Sequence, residues 1–256
     1  MVLTAAGNAR LVLSVAVQAP TLDVDETLEV TQGGAPVPTR EIVDLQGNRL
    51  HLLDVSEGEV QVSYRATVVG RAEPLPVTPV DEVVYLRPSR YCESDSLGPT
   101  AAREFYGLTD TELLFGVSSW VGERLQYVPG SSLPTDGAVQ TLLAGQGVCR
   151  DYAHLVVAFL RALNVPARLS SVYAPGLDPM DFHAVAEAAI DGRWCVVDAT
   201  TLAPRSSLLR IAAGRDASDT AFLSIRGAPV TMGELTVTAT VSELPSDDLT
   251  QLVSLG

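Results

Sequence analysis

Lysine is absent from this sequence: all 17 of its basic residues are arginine, against 31 acidic residues. The formal net charge is −14. Nucleic-acid phosphates are bound by clustered basic side chains, and anionic membrane surfaces attract polybasic segments. The charge therefore argues against a nucleic-acid partner and against a membrane partner.

Cysteine is scarce as well, with three residues far apart in the chain: Cys92, Cys149 and Cys195. Without a C-x-x-C pair, neither a zinc site nor a dense disulfide framework is expected, and we predict no metal and no cofactor. No apolar run is long enough to cross a bilayer. The short apolar stretch 11–19, LVLSVAVQA, is typical of a strand rather than a signal peptide, which predicts a cytoplasmic protein.

The apolar pattern predicts an α+β fold in two parts. Over residues 1–78 it predicts an antiparallel, sandwich-like β domain, in which the stretch 59–69, EVQVSYRATVV, alternates apolar and polar residues. A proline-rich linker, 71–82, leads to a core over residues 79–245, where helices come first and strands follow. The last residues, 246–256, are predicted to form a flexible tail.

The helices of the predicted core have clear ends. Apolar residues recur at helical spacing over 110–127, DTELLFGVSSWVGERLQY, and a shorter helix ends at Gly145. A longer helix begins at Cys149 and ends where Asn164 can adopt a left-handed cap and Pro166 cannot continue. The strands predicted after it cover residues 167–173, 182–190, 193–199, 207–213, 220–225 and 234–242.

Cys149 follows a glycine turn and falls in the first turn of the long helix. The free N–H groups at a helix N-terminus favour a thiolate over a thiol, and they can bind an oxyanion. Cysteine is also often buried as a small hydrophobe. This position alone therefore leaves open whether Cys149 is a nucleophile or a core residue. Asp151, in the same turn, is predicted to cap the helix.

A nucleophile needs a base, and the chain has only three histidines. His51 lies in the predicted β domain. His154 lies on the same helix as Cys149 but five residues further on, so it points away from the cysteine. His183 opens an apolar run of the core and is the remaining candidate.

An Asp-Gly turn at 191–192 joins the run that begins at His183 to the next one, and this dipeptide is the strongest short signal for a β-hairpin. A two-residue turn places His183 opposite Thr200. His183 and Asp198 then share one face as diagonal neighbours, roughly 7 Å apart at their Cβ atoms. With Cys149 they form the pattern of a Cys-His-Asp triad. The other two cysteines are predicted to be structural.

Four stretches resemble motifs of one family. GVCRDYAHLVVAFLRALNVPAR (147–168) resembles the cysteine motif of bacterial transglutaminase-like proteins, which share the papain-like cysteine-protease scaffold. HAVAEAAIDGRWCVVDAT (183–200) resembles the family's histidine and aspartate motifs, with HAV where relatives usually have HAW. YLRPSRYCESDSLG (85–98) and GRDASDTAF (214–222) resemble its flanking signatures. The resemblance covers most of 81–241, and it implies a core in which the cysteine helix packs on an antiparallel sheet.

The resemblance implies that Cys149 is the nucleophile, His183 the general base and acid, and Asp198 the orienting carboxylate. The expected reaction is thioester formation with an amide of a protein or peptide, glutamine included, and transfer of the acyl group to an amine or water. Two alternatives stay open: a papain-like peptidase or amidase that uses water only, and a non-catalytic protein-binding module. The sequence does not indicate an oligomeric state.

Four further residues are predicted to support the site. In relatives, an aromatic residue ahead of the cysteine often helps to form the oxyanion hole, and Trp120 and Tyr127 are both candidates for that place. Asp151 is expected to support the cysteine helix, and Thr200 lies opposite His183 in the predicted hairpin.

Overall fold

The computed structural model describes residues 1–18 and 22–255. Within these residues the α-helices are α1 (Pro79–Val84), α2 (Ser94–Glu104), α3 (Asp110–Arg124), α4 (Ala138–Ala144) and α5 (Cys149–Ala162). The strands are β1 (Val2–Ala5), β2 (Ala9–Leu13), β3 (Asp23–Gln32), β4 (Ala35–Pro36), β5 (Arg40–Val43), β6 (Arg49–Val55), β7 (Gly58–Val69), β8 (Gln126–Tyr127), β9 (Gln146–Gly147), β10 (Ala167–Tyr173), β11 (His183–Ile190), β12 (Arg193–Val197), β13 (Leu209–Gly214), β14 (Leu223–Gly227) and β15 (Val230–Met232).

Two antiparallel sheets share one apolar core. Their strand orders are β15-β1-β7-β3-β4 and β14-β2-β6-β5. The alternation predicted for 59–69 is strand β7, whose Val60 and Val62 are buried against Leu11 and Leu53 of the other sheet. Val60 and Val62, at alternate positions of β7, therefore face inward, as a half-buried strand requires.

Strands β14 and β15 come from residues 223–232 but pair with β2 and β1. Sequence pattern indicated strands in this region, yet it placed them with the core at 79–245. The division into domains stays a prediction, and these two strands cross its boundary. The strand predicted over 11–19 ends at Leu13, and residue 19 lies outside the described residues.

The second half of the chain forms the predicted α+β core. Its sheet has the order β12-β11-β10-β13, with every neighbouring pair antiparallel. Helix α5 packs on one face of this sheet, where it contacts Ala186, Ala188 and Val197, and α2, α3 and α4 surround α5. Apolar residues cover α5 on all sides because it lies between the sheet and the other helices.

Local chemistry sets both ends of α5. The Asp151 carboxylate accepts a hydrogen bond of 2.8 Å from the Val148 N–H, which satisfies a group that the first turn leaves free. Gly145, with φ of 65°, ends the preceding helix α4, and Asn164, with φ of 62°, follows the end of α5. The predicted cap and stop residues are thus confirmed.

Strand β11 carries a buried charge cluster. Glu187 is fully buried and accepts a hydrogen bond of 2.9 Å from Arg168, and it also pairs with Arg210. Burial disfavours the carboxylate, but the two guanidinium groups outweigh burial and lower the pKa of Glu187 to about 2. Because this pKa lies below the unfolded value, the pair stabilises the fold fully above about pH 4.3. That stabilisation is lost as the pH falls toward 2.

Glu187→Gln should lower the free energy of unfolding by about 3–5 kcal/mol, because it leaves two buried guanidinium groups without their counter-charge. Urea unfolding at pH 7 measures this loss. Glu29→Gln, on the exposed side of β3, is the matched control and should change stability by less than about 0.5 kcal/mol. Equal stability of the two variants would contradict the role of the cluster.

The predicted flexible tail is instead held against the core. Asp247 pairs with the buried Arg205 at 2.9 Å, and the Val253 carbonyl accepts a hydrogen bond of 2.7 Å from the Val196 N–H on the edge strand β12. Residue 256 lies outside the described residues. None of the helices in the described ranges combines the length and apolar character needed to cross a bilayer.

Candidate active site

Cys149 is the first residue of α5 and is partly exposed. Its apolar neighbours are Ala153 on the next turn and Leu169 and Ala184 on the sheet below. The cysteine therefore lies where the N-terminus of the helix meets the sheet. The free N–H groups of that first turn point out of the helix beside the thiol.

A short parallel strand pair brings Tyr127 next to the cysteine. Strand β8 pairs with β9 in the register Tyr127 to Gly147, two residues ahead of Cys149. The Tyr152 hydroxyl donates a hydrogen bond of 2.8 Å to the Leu125 carbonyl and anchors this segment on α5. Burial and the nearby Cys149 thiol raise the pKa of Tyr127 to about 12, so its hydroxyl keeps its proton at neutral pH.

The hairpin that carries His183 has the predicted register. Strands β11 and β12 pair Ile190 with Arg193 and Ala186 with Val197. The Asp191-Gly192 turn has positive φ at both residues, 50° and 73°, as a type I′ turn requires. The hairpin prediction is confirmed over this ladder, and it brings His183 and Asp198 to the same place.

His183 lies between the carboxylate and the thiol. Its Nε2 is 3.6 Å from Asp198 Oδ2, and both side chains are buried. Burial opposes a charge on the imidazole, but contacts with Asp198 and Cys149 outweigh it and raise the pKa of His183 to about 10. Nδ1 has no hydrogen-bond partner within the described residues. It is therefore the ring nitrogen left for the thiol.

Thr200 and Ser118 hold Asp198 in place. The Thr200 backbone N–H and hydroxyl donate to Asp198 Oδ1 at 2.8 and 2.7 Å, and the hydroxyl also lies 3.5 Å from His183 Nε2. Ser118 on α3 donates to the Asp198 carbonyl at 3.0 Å. Oδ2 is thereby left to face the imidazole, which is the orientation that a general base needs.

The remaining predicted support residues lie in different parts of the structure. Asp151 caps α5 and accepts a hydrogen bond of 2.9 Å from Ser132, so its part is structural. Trp120 lies far from the cysteine: its indole donates to Glu104 at 3.2 Å and packs against Phe159. Phe159 is ten residues along α5 from its start, or about 15 Å. Of the two aromatic candidates, the structure brings only Tyr127 to Cys149.

The two flanking signatures meet around the middle of α5. Asp216 is fully buried and accepts a hydrogen bond of 3.0 Å from the Tyr91 N–H. His154 stacks on Tyr91 and accepts a hydrogen bond of 3.1 Å from the Ala217 N–H. Burial lowers the pKa of His154 to about 3. The imidazole is therefore neutral, and His154 is a packing residue.

Sequence pattern missed how closely α3 approaches the loop that follows β12 and carries Asp198 and Ala199. A side-chain carbon on Gly122 would lie 2.8 Å from the Ala199 carbonyl oxygen, so the helix can pack here only because this residue is glycine. Beside this contact is a cavity of about 290 Å³, lined in part by Glu123, Tyr127 and Thr200. A glycine inside a helical pattern was the available signal for such an approach.

Cys92 and Cys195 are both buried. Burial raises the pKa of Cys92 to about 12, and burial also raises the pKa of Cys195. Neither thiol is therefore ionised near neutral pH. They provide two internal references for the reactivity of Cys149.

The chain is similar to a known protein family and to solved structures. Residues 100–199 match the model of the transglutaminase-like superfamily. A crystal structure of a candidate cysteine protease from Cytophaga hutchinsonii is 32% identical, with a TM-score of 0.80, and the match covers 95% of this chain and 91% of that one. The chain belongs to the transglutaminase-like superfamily. The prediction from the motifs is confirmed.

Two weaker matches lie within bacteria. An uncharacterized protein of Mycobacterium leprae is 28% identical over 110 residues, which cover 40% of this chain and 39% of that protein. The periplasmic domain of TgpA from Pseudomonas aeruginosa is 18% identical with a TM-score of 0.42, and the match covers 78% of this chain and 91% of that one. This chain therefore spans well under half the length of its Mycobacterium leprae relative.

Proposed function

We propose that this protein is a cysteine enzyme that forms a thioester on Cys149 with an amide of a protein or peptide, including the side chain of glutamine. The acyl group then passes to an amine or to water. The observation that supports this most strongly is the placement of the buried His183, whose Nε2 lies 3.6 Å from Asp198 Oδ2 and whose ring also contacts Cys149. A histidine held between a thiol and a carboxylate is the arrangement of nucleophile, base and orienting group.

In the proposed first step, the Cys149 thiolate attacks the amide carbon and the carbonyl oxygen becomes an oxyanion. The tetrahedral intermediate collapses as the C–N bond breaks, and the protonated His183 gives its proton to the leaving nitrogen. In the second step, His183 takes a proton from the incoming amine or water, which attacks the thioester. The thiolate then leaves, and the site returns to its starting state.

Tyr127→Phe should lower kcat by about 10²–10³, because it removes a neutral hydroxyl beside the place where the oxyanion forms. KM should change little, since the ground-state carbonyl makes a weaker hydrogen bond. Steady-state kinetics on a glutamine peptide measures both. Trp120→Phe is the matched control, and its kcat should stay within about threefold. A larger loss for Trp120→Phe than for Tyr127→Phe would contradict the assignment.

A peptidase or amidase that uses water alone is the second proposal. It is supported by the name of the Cytophaga hutchinsonii protein, a candidate cysteine protease that shares 32% of its residues with this chain. The two proposals share the thioester and differ only in the acceptor. If no thioester forms, the alternative that remains is a non-catalytic binding module.

Mass spectrometry of the intact protein tests the thioester directly. The protein is mixed with a blocked glutaminyl-glycine peptide and quenched in acid, which should trap an adduct that hydroxylamine removes. Cys149→Ala should show none. Adding dansylated cadaverine then separates the proposals: a transferase yields the fluorescent amide, whereas a hydrolase yields only ammonia and acid. Because the chain has no lysine, its own side chains do not compete as acceptors. An adduct-free wild-type protein would refute catalysis.

The proposed substrate is a protein or peptide. A cytoplasmic location and the lack of a nucleic-acid or membrane partner remain proposals that rest on the sequence alone. Sedimentation of the protein with nucleic acid and with anionic vesicles would test whether it binds either partner.

A further inference from the structure

Part of strand β7 has an unpaired edge. Strand β1 pairs with β7 only up to Gln61, and Met1 and Val62 then exchange two backbone hydrogen bonds of 2.9 Å. Backbone groups point to alternate sides along a strand. On the edge of β7 that faces β1, the next backbone N–H and C=O groups after Val62 therefore belong to Tyr64, Ala66 and Val68. Within residues 1–18 and 22–255, no strand pairs with them.

A second segment, 235–241, lines the same space as this edge. Its sequence, LTVTATV, predicts a strand, and its apolar residues turn inward at Leu235, Val237 and Ala239 while the threonines between them are exposed. Its backbone makes no backbone hydrogen bond within the described residues. Strand β7 and segment 235–241 thus line the same space without pairing to each other within the described residues.

Between them lies a groove of about 940 Å³. Every residue from 62 to 68 and from 235 to 241 lines it. Consecutive residues line a space only when the main chain itself faces it, because side chains alternate between the two faces of a strand. The groove is therefore open to the free backbone groups of both segments.

The groove has an unusual charge for this protein. Arg65 and Arg71 line it, and none of its lining residues in the described ranges is a carboxylate, although the chain as a whole has a formal net charge of −14. Neither arginine forms an ion pair within the part of the chain that the structure describes. An occupant that complements this lining is neutral or acidic.

Aromatic residues connect the groove to the catalytic strand. Tyr64 stacks on Tyr173 at 6.4 Å between ring centroids, and Tyr173 contacts Phe182 at 5.7 Å. All three line the groove. Phe182 directly precedes His183, so the groove extends to the strand that carries the catalytic histidine.

We propose that this groove binds an extended, neutral or acidic segment of a protein substrate as an added strand between β7 and residues 235–241. Unpaired strand edges are templates for pairing with another chain, and strand addition recognises a peptide mainly through its backbone. The term substrate rests on the function proposed above. The binding itself does not require catalysis, so it is tested on a variant that cannot turn over.

The test uses Cys149→Ala protein and fluorescein-labelled α-lactalbumin that has been reduced and alkylated with iodoacetamide, which adds no charge and leaves an unfolded acidic chain. Fluorescence anisotropy should show saturable binding, about tenfold weaker for similarly treated lysozyme, which is basic. Hydrogen exchange should slow at the amides of Tyr64, Ala66 and Val68 and in 235–241 when α-lactalbumin is present. The hydrogen-exchange measurement uses the Cys149→Ala protein with no change among the residues that line the groove.

Two variants locate the binding. Ala66→Pro removes one outward N–H without touching the ladder to β3 and should weaken binding about fivefold to tenfold. Arg65→Glu should weaken it about tenfold, with the difference shrinking as salt is added. Arg40→Glu, an exposed position on strand β5, is the matched charge control and should bind as the parent does.

Three results would overturn the proposal. The first is equal binding by the parent, Ala66→Pro and Arg65→Glu. The second is exchange protection of the three amides without any added chain, which would show that residues 235–241 close onto β7. The third is protection that grows with protein concentration alone, which would show that a second copy occupies the groove. If the groove binds α-lactalbumin but Cys149 forms no thioester, the enzyme proposal is refuted and the binding proposal is not.

Discussion

Iodoacetamide should label Cys149 at pH 7 on the order of a thousandfold faster than Cys92 or Cys195. Cys149 is partly exposed at a helix N-terminus beside the protonated His183, and the thiolate is the reactive form. The other two thiols are buried, and burial raises the pKa of both. Peptide mapping by mass spectrometry at several reaction times gives all three rates from one sample.

His183→Ala tests whether this reactivity comes from the imidazole rather than from exposure. It should slow the labelling of Cys149 at pH 7 by about tenfold or more, because the positive charge that favours the thiolate is lost. The rates of Cys92 and Cys195 should not change, which also verifies that the variant is folded. Wild-type labelling of Cys149 at the rate of the buried thiols would refute the role of nucleophile.

The hairpin that carries His183 was the most predictable part of the candidate site. The Asp191-Gly192 turn has a local sequence signal, and strand alternation then fixes which residues share a face. The pairing of Ile190 with Arg193 followed from these two facts. The ends of α5 were predictable for the same reason, because capping and stopping depend on neighbours in sequence.

Other features depend on residues far apart in the chain. Trp120 and Tyr127 lie on consecutive elements, and only the pairing of β8 with β9 brings Tyr127 to Cys149. That pair is two residues long, too short for a periodic signal. The pairing of residues 223–232 with β1 and β2 is likewise non-local. Strand propensity in a sequence identifies a strand but not its partner.

Asp198→Asn should lower kcat/KM for a glutamine peptide by about 10³–10⁴, since the amide no longer supports an imidazolium at His183. The pH profile should change as well. The raised pKa of His183, about 10, keeps the proton needed by the leaving nitrogen up to that pH, so the wild-type alkaline limb falls near pH 10. Without the carboxylate the limb should move down toward the ordinary imidazole value of about 6.5.

The matched control for this change is Asp191→Asn in the turn at the other end of the same hairpin. Asparagine tolerates the positive φ of 50° at that position, so activity and the alkaline limb should both stay as in the wild type. Thermal unfolding of both variants separates catalysis from folding. If Asp198→Asn lost activity but kept an alkaline limb near pH 10, the carboxylate would serve only to shape the loop. In that case another group would have to support the charge on His183.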